Sequence, residues 1–492
     1  MNRGRAIEVA AVIGILVVVA IGAVWLIGQA IPLGWDESVY ASKARSLLTD
    51  SPSSTWAIYR APGLPVVGLL GGVFGFSDAS LRAVALLLNL GALTMAWAFA
   101  RMLWGPLAAI VTLLTIAGSP VVIAEIALLH TDLPSAGLLL ALMLLVWYEF
   151  ERRPEPSRLL IAAAPLAALA FYVRYGSILP IGGIGIAAIV LWHRPMLRNK
   201  GLVGLTVGLA ALLFAPHVLD AISRTGSPLG IITSAGEQVD TSEPSETAAR
   251  YLGWLPAQLA HRLGFAVMLC GVAHAMIAAL DAIRRRELGP VARGYLWLFV
   301  PAGVTTVGLV LQSHAEQRYV LFPVLLAIVA GGGAVSAGVA WLGARSAVAD
   351  REHAFGGAVG VGILLVAVTA GSVGARRLVV LERQADESRW QPAVGRAIDA
   401  DTNGPCRTVT SIPPMIEWYS RCEAMPFSTS GADAIAAGTA DDPTFIVLSD
   451  IDERRASART IARYRALTEP SNVVRIPVDG APSGVEVYRL TP

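Results

Sequence analysis

Residues 61–76 read APGLPVVGLLGGVFGF, and the topology of the chain turns on whether this run crosses a membrane. It is apolar, but Pro62, Pro65 and five glycines interrupt it. At about 1.5 Å per residue, its 16 residues reach only about 24 Å as a helix, short of a ~30 Å hydrocarbon core. It therefore reads as a juxtamembrane element lying at the interface rather than as a span.

Outward from that run, the composition is that of a polytopic membrane protein. Of 492 residues, 55% are hydrophobic and 15% charged, and the mean hydropathy is +0.60. A soluble chain of this length needs far more charged surface. The net charge of +2 points to no charged partner, and no nucleic-acid partner is expected. Apolar runs at 8–30, 80–101, 106–123, 133–149, 159–173, 177–192, 201–219, 255–280, 291–311, 319–342 and 355–374 predict about eleven transmembrane helices. The first, from Glu8 to Ala30, is too long for the apolar core of a signal peptide and reads as a retained helix.

Arginine placement supports leaving 61–76 uncounted. Arg3 and Arg5, Arg101, Arg152 with Arg153 and Arg158, Arg194 with Arg198 and Lys200, Arg284 to Arg286 with Arg293, and Arg345 with Arg351 then share one side. The positive-inside rule makes that side the cytoplasm. The protein is expected in the cell membrane with its amino terminus inside. An odd span count puts the hydrophilic tail outside.

Two domains follow. Residues 1–375 form the membrane module, with external loops at 31–79 and 220–254, and 376–492 form a small external α/β domain. TFIVLSD, RASARTIARYRALTE, NVVRIPV and GVEVYRL in the tail read as strand, helix, strand and strand. The 220–254 loop is rich in Gly, Ser, Thr and Glu and reads as mobile. Cys270 falls in an apolar run and reads as packing, whereas Cys406 and Cys422 can pair if the tail is outside. Asp450, Asp452 and Glu453 read as a solvated strand-to-helix turn with an N-cap.

The polar residues that interrupt apolar sequence at span ends are more telling. Asp36 and Glu37 follow the first span, Arg60 precedes the interfacial run and Arg82 opens the second span. Glu125, His130 and Asp132 lie between spans three and four, Arg174 between five and six, and His314, Glu316 and Arg318 between nine and ten. All fall at the external face, and ionisable groups at membrane depth are costly and tend to serve function. Blander explanations exist. Arg82 and Arg318 could anchor by snorkelling, Glu125 and His130 could be satisfied by neighbouring helices, and the Asp-Glu pair could begin a solvated loop. Trp35 and Tyr40 flank that pair at headgroup level and weigh against the last. Acids and bases converging beside an apolar wall suit group transfer from a lipid phosphate: a base activates a hydroxyl or amine, and arginines hold the phosphate. No P-loop or dinucleotide fingerprint points elsewhere.

DESVYASKAR matches the pattern DE-x-x-Y-A-x-x-A-R at Asp36, Glu37, Tyr40, Ala41, Ala44 and Arg45. Arg60, Pro62, Gly63 and Arg82 fit the segment that follows, LLHTDLPSAG carries a T-D-x-P motif at Asp132, and Arg174 ends a helix. SHAEQRY fits H-x-E-x-R-Y at His314, Glu316, Arg318 and Tyr319. Together these resemble the membrane-bound GT-C glycosyltransferases, in the branch holding protein O-mannosyltransferases and the lipid A aminoarabinose transferase, over about residues 1–345. The resemblance implies a GT-C fold and a polyprenyl-phosphate sugar donor, with Asp36 as the base of an inverting displacement and Glu37 orienting it. It implies that Arg60, Arg174, His314 and Arg318 bind phosphate, with Glu316 positioning Arg318 and Asp132 holding sugar or acceptor. Tyr40, Arg82, His130 and Tyr319 complete the donor-binding set. The acceptor is a cell-wall glycan, a lipid or a protein. A divalent metal held by Asp36, Glu37, Asp132 and His130 stays open. After Arg60 the chain has RAPGLP where the branch often has a polar KPP-type run, which leaves sugar and acceptor unassigned. The rival is a transporter or flippase of lipid-linked glycans, but such proteins carry charges at mid-membrane in repeated halves, and no repeat is visible.

Overall fold

The computed structural model describes residues 3–237, 244–311, 317–345, 379–380, 382–383, 387–402, 404–437, 443–450, 452, 456–469 and 473–490. Among them, eight helices are long and apolar enough to cross a membrane.

The long first helix α1 (Arg3–Gly28) leads directly into α2 (Trp35–Ser46), the short helix carrying Asp36 and Glu37. The run at 61–76 folds as α3 (Gly63–Gly72), only 10 residues long, as its length required. A side chain at Gly63 would collide with Tyr172 O, 2.5 Å from an ideal Cβ, so glycine lets α3 lie against the chain just before Arg174. Next comes α4 (Asp78–Trp104), whose first turn is capped by Ser77 accepting from Ser80 N. Glu8 is buried in α1 and receives Arg101 Nε of α4 at 2.6 Å, which compensates a charge at membrane depth.

The expected third span is broken. It runs as α5 (Pro106–Ala117) and α6 (Pro120–Glu125), because Pro120 cannot continue a helix from Ser119. Then follow α7 (Asp132–Trp147), α8 (Ala163–Val173), α9 (Ile178–Arg198) and α10 (Lys200–Thr225). The 220–254 loop is largely helical where it is described. α10 continues to Thr225, and α11 (Gly230–Glu237) and α12 (Pro244–Ala249) follow. α13 (Leu255–Arg285), α14 (Pro290–Leu311) and α15 (Leu321–Arg345) complete the described bundle. Gly271 of α13 meets Gly331 of α15 with no room for a Cβ, so these helices pack backbone to backbone. The expected span at 355–374 lies outside the described residues. Cys270 is exposed on α13 rather than packed, since that helix turns much of its surface outward.

The tail forms a five-stranded sheet in the order β2-β1-β3-β5-β4. Its elements are α16 (Trp390–Asp401), β1 (Arg407–Val409), α17 (Pro413–Ser420), β2 (Glu423–Met425), α18 (Thr429–Ala436), β3 (Thr444–Leu448), α19 (Ala458–Leu467), β4 (Val473–Ile476) and β5 (Glu486–Leu490). β1 is parallel to both β2 and β3, and β5 is antiparallel to β3 and β4. Cys406 and Cys422 form a disulfide. Asp452 is not a solvated cap: it is buried and accepts from Ser449 N and Oγ, while Ser457 caps α19. Glu453 lies outside the described residues.

Candidate active site

A cavity of about 600 Å³ opens between the start of α2, the chain before α3, and the ends of α7, α8, α9, α14 and α15. Asp36 sits in the first turn of α2, where the helix N-terminus favours a negative charge. Arg60 Nη1 donates to its Oδ1 at 2.8 Å and Arg318 Nη1 to its Oδ2 at 2.5 Å. Burial alone would raise this carboxyl, but the guanidiniums of Arg318 and Arg60 override it and hold Asp36 well below the usual carboxylate range. Beside it, Asp132 at the start of α7 receives Arg174 Nη1. The Arg174 guanidinium lies over the Tyr319 ring at 4.7 Å, and Arg60 lies 5.5 Å from the Tyr40 ring. One wall therefore carries Asp36, Arg60, Asp132, Arg174 and Arg318 with Tyr40 and Tyr319, from five separate stretches of chain.

The rest of the cavity has two textures. Thr131, Ser135, Ser177 and Thr305 contribute hydroxyls, Ser135 and Ser177 lying 2.6 Å apart. Leu139, Leu179, Leu309, Leu321 and Phe322 are apolar. From the 220–254 stretch, Ile232 and Thr233 also reach the cavity, a contribution that a coil-like composition gave no reason to expect. The hydroxyls were missed as well, although Ser135 follows Asp132 by three residues and so shares its helical face.

Three expected residues do not line this cavity. Glu37, one residue along α2, is 2% exposed and faces Arg82 instead. Arg82 Nη2 and Nε donate to its two oxygens at 2.9 and 3.1 Å, and the backbone N–H groups of Gly34 and Leu129 add two more bonds. Arg82 also donates to the carbonyls of Ile31 and Pro32. At 3% exposure Arg82 is a buried cross-brace, not a snorkelling anchor. His130 Nδ1 lies 2.6 Å from Glu125 Oε2. Burial would lower the imidazole, but the Glu125 carboxylate raises it to about 9, so it is protonated near neutral pH. His314 and Glu316 lie outside the described residues. The described residues contain no group of three or more His, Cys, Asp or Glu placed to hold a metal ion, and Asp36, Glu37 and Asp132 each face an arginine.

Known proteins share this architecture. A family model described as dolichyl-phosphate-mannose-protein mannosyltransferase matches residues 66–219. The fold is similar to ArnT from Cupriavidus metallidurans in the apo state, with a TM-score of 0.66, 16% identity and coverage of 98% of this chain and 99% of that one. It is similar to the same protein bound to undecaprenyl phosphate, with a TM-score of 0.68, 16% identity and the same coverage. The oligosaccharyltransferase AglB of Archaeoglobus fulgidus, in complex with an inhibitory peptide and a dolichol-phosphate, is more distant: TM-score 0.56, 13% identity, 88% of this chain and 69% of that one. No curated protein sequence matches.

Proposed function

For a chain that has the fold of the GT-C superfamily of membrane glycosyltransferases, we propose that it transfers a sugar from a polyprenyl-phosphate donor to an acceptor at the external face of the cell membrane. The observation that carries this is Asp36, a carboxylate gripped by Arg60 and Arg318 on the polar wall of a cavity whose remaining surface is partly apolar. A base, phosphate-binding cations and a lipid-compatible wall meet in one space. Similar structures bind undecaprenyl phosphate in one case and a dolichol-phosphate in another, which supports a lipid phosphate as the ligand class.

In the proposed reaction the acceptor O–H or N–H gives its proton to the Asp36 carboxylate. The acceptor atom bonds to the anomeric carbon, and the bond from that carbon to the phosphate oxygen breaks. Its electron pair stays on the phosphate, and polyprenyl phosphate leaves with inversion at the sugar. Arg60, Arg174 and Arg318 stabilise the developing phosphate charge. Paired with the two arginines, Asp36 is a weak base. A phosphodiester entering the site competes for both guanidiniums and restores its basicity, so base activation is coupled to donor binding. Asp132 and the nearby hydroxyls contact the sugar or acceptor, and Glu37 and Arg82 hold α2 in place. His314 and Glu316 keep their expected roles in phosphate binding and in positioning Arg318.

The test is profiling of lipid-linked sugars and cell-wall glycans in a strain lacking the gene, complemented by wild type or by Asp36→Asn. Loss of one sugar, restored by wild type alone, is expected. Equal rescue by both rejects Asp36 as the base and favours a transporter.

A further inference from the structure

The C-terminal domain meets α2 and the loop before α3 chiefly through one short helix, α17 (Pro413–Ser420), and Ala424 of β2 adds backbone hydrogen bonds to the Ser54 hydroxyl. We propose that α17 is a positioning element of the transfer site, clamping from behind both the helix that carries Asp36 and the loop that carries Arg60. This rests on the assignment of Asp36 as the base.

Two arms make the clamp. On the first, Arg45 in the last turn of α2 donates Nη1 to Trp418 O at 2.9 Å and Nη2 to Glu417 O at 3.4 Å. Its guanidinium lies 4.4 Å from the Trp418 ring. On the second, the fully buried Glu417 carboxylate binds the loop before α3. It accepts from Ser54 N at 2.9 Å, from the Ser54 hydroxyl, from Thr55 N at 3.3 Å and from Thr55 Oγ1 at 2.9 Å. Thr55 is only five residues from Arg60. Asp78, in the first turn of α4, accepts from Trp418 Nε1 at 2.8 Å and from Tyr419 OH at 2.6 Å. Tyr419 OH in turn accepts from Leu33 N, just before α2. Trp418 packs in the same apolar cluster as Tyr40, Leu64 and Leu129.

The other face of α17 is fixed. Ile412, Met415 and Ile416 sit in the core of the C-terminal domain with Cys406 and Cys422, whose disulfide brackets the helix. A domain that merely rests on a surface exposes its polar contacts to water, where they contribute little. Here Glu417 and Arg45 are themselves buried, so removing the partner of either leaves a buried charged group unsatisfied. Removing the clamp therefore moves α2 and the Arg60 loop relative to one another. A displacement of about 1 Å at reacting groups can cost on the order of a hundredfold in rate.

The test uses the full-length protein with Glu417→Ala, Glu417→Gln and Trp418→Phe, with Asp36→Asn run in parallel. Turnover is read as release of polyprenyl phosphate from the lipid-linked sugars of host membranes, and binding with undecaprenyl phosphate as probe. Glu417→Ala is expected to lower turnover about tenfold or more, with undecaprenyl phosphate affinity falling by clearly less than the rate. Glu417→Gln keeps an acceptor oxygen for Thr55 and should recover most of the rate. A folded Glu417→Ala with wild-type turnover overturns the clamp, and so does a parallel fall in rate and affinity that glutamine does not rescue. If Glu417→Ala does not fold, Trp418→Phe decides: a slower rate at unchanged affinity supports the clamp, and a wild-type rate refutes it. Turnover by Asp36→Asn would instead remove the assignment of the base. An inactive Asp36→Asn beside a fully active Glu417→Ala would sink the clamp alone.

Discussion

Asp36 and Glu37 are neighbours in sequence, carry the same charge and each face arginine, yet they belong to different parts of the protein. Asp36 is 17% exposed, lines a cavity and holds two arginines by one bond each. Glu37 is 2% exposed, does not line that cavity and has both oxygens filled by Arg82 and two backbone amides. One residue along an α-helix is about 100° of rotation, enough to turn one carboxylate to the cavity and the next to the bundle. A carboxylate with replaceable partners can react, whereas one saturated by buried donors can only hold structure.

The largest effect expected from this contrast is on transfer. Asp36→Asn should lower turnover by on the order of a thousandfold, as loss of a general base does, and leave the melting temperature in detergent near wild type. A correctly folded variant with ordinary turnover would reverse the roles given to the two acids. Glu37→Ala should do the opposite, costing about 3–5 kcal/mol by leaving Arg82 buried and uncompensated. Thermal unfolding would measure this, and turnover per folded molecule should fall far less than in Asp36→Asn. A stable Glu37→Ala with abolished transfer would give Glu37 a chemical role.

Arg318→Ala comes next. Loss of a charge-assisted bond to phosphate, about 1.5–3 kcal/mol, should raise the apparent donor requirement by tenfold or more. Unchanged undecaprenyl phosphate binding would take Arg318 out of the phosphate site. The smallest effect concerns His130 and Glu125. With the folded imidazole raised to about 9 against about 6.5 unfolded, the pair's contribution is full below about pH 6.5. It is lost as pH rises through about 9, so the melting temperature should fall over that window. His130→Gln should flatten the fall, and an equally steep fall in that variant would locate the titration elsewhere.

Legibility tracked the physics of each signal. Long apolar runs need only composition and length, so most spans could be placed from residues alone. The break between α5 and α6 depends on what Pro120 does after Gly118 and Ser119, a local event inside an otherwise apolar run. In the tail, TFIVL, VVRI and EVYRL alternate or run apolar long enough to read as strands, whereas RTV and EAM, three residues each, cannot show a period. Composition misled at 220–254, because Gly230–Glu237 and Pro244–Ala249 fold as short helices despite their polar residues.

The sequence by itself determined that this chain is a polytopic helical membrane protein with a small α/β tail, and which charged residues stand at span ends. Hydrophobic length, periodicity and charge near apolar runs are local properties written in the residues. Only the tertiary structure decided that Asp36 meets Arg60 and Arg318, that Glu37 meets Arg82, and that α17 (Pro413–Ser420) braces them from more than 350 residues away. Such pairings depend on helix rotation and on chain crossings between distant segments, and a spacing along one strand of sequence carries neither.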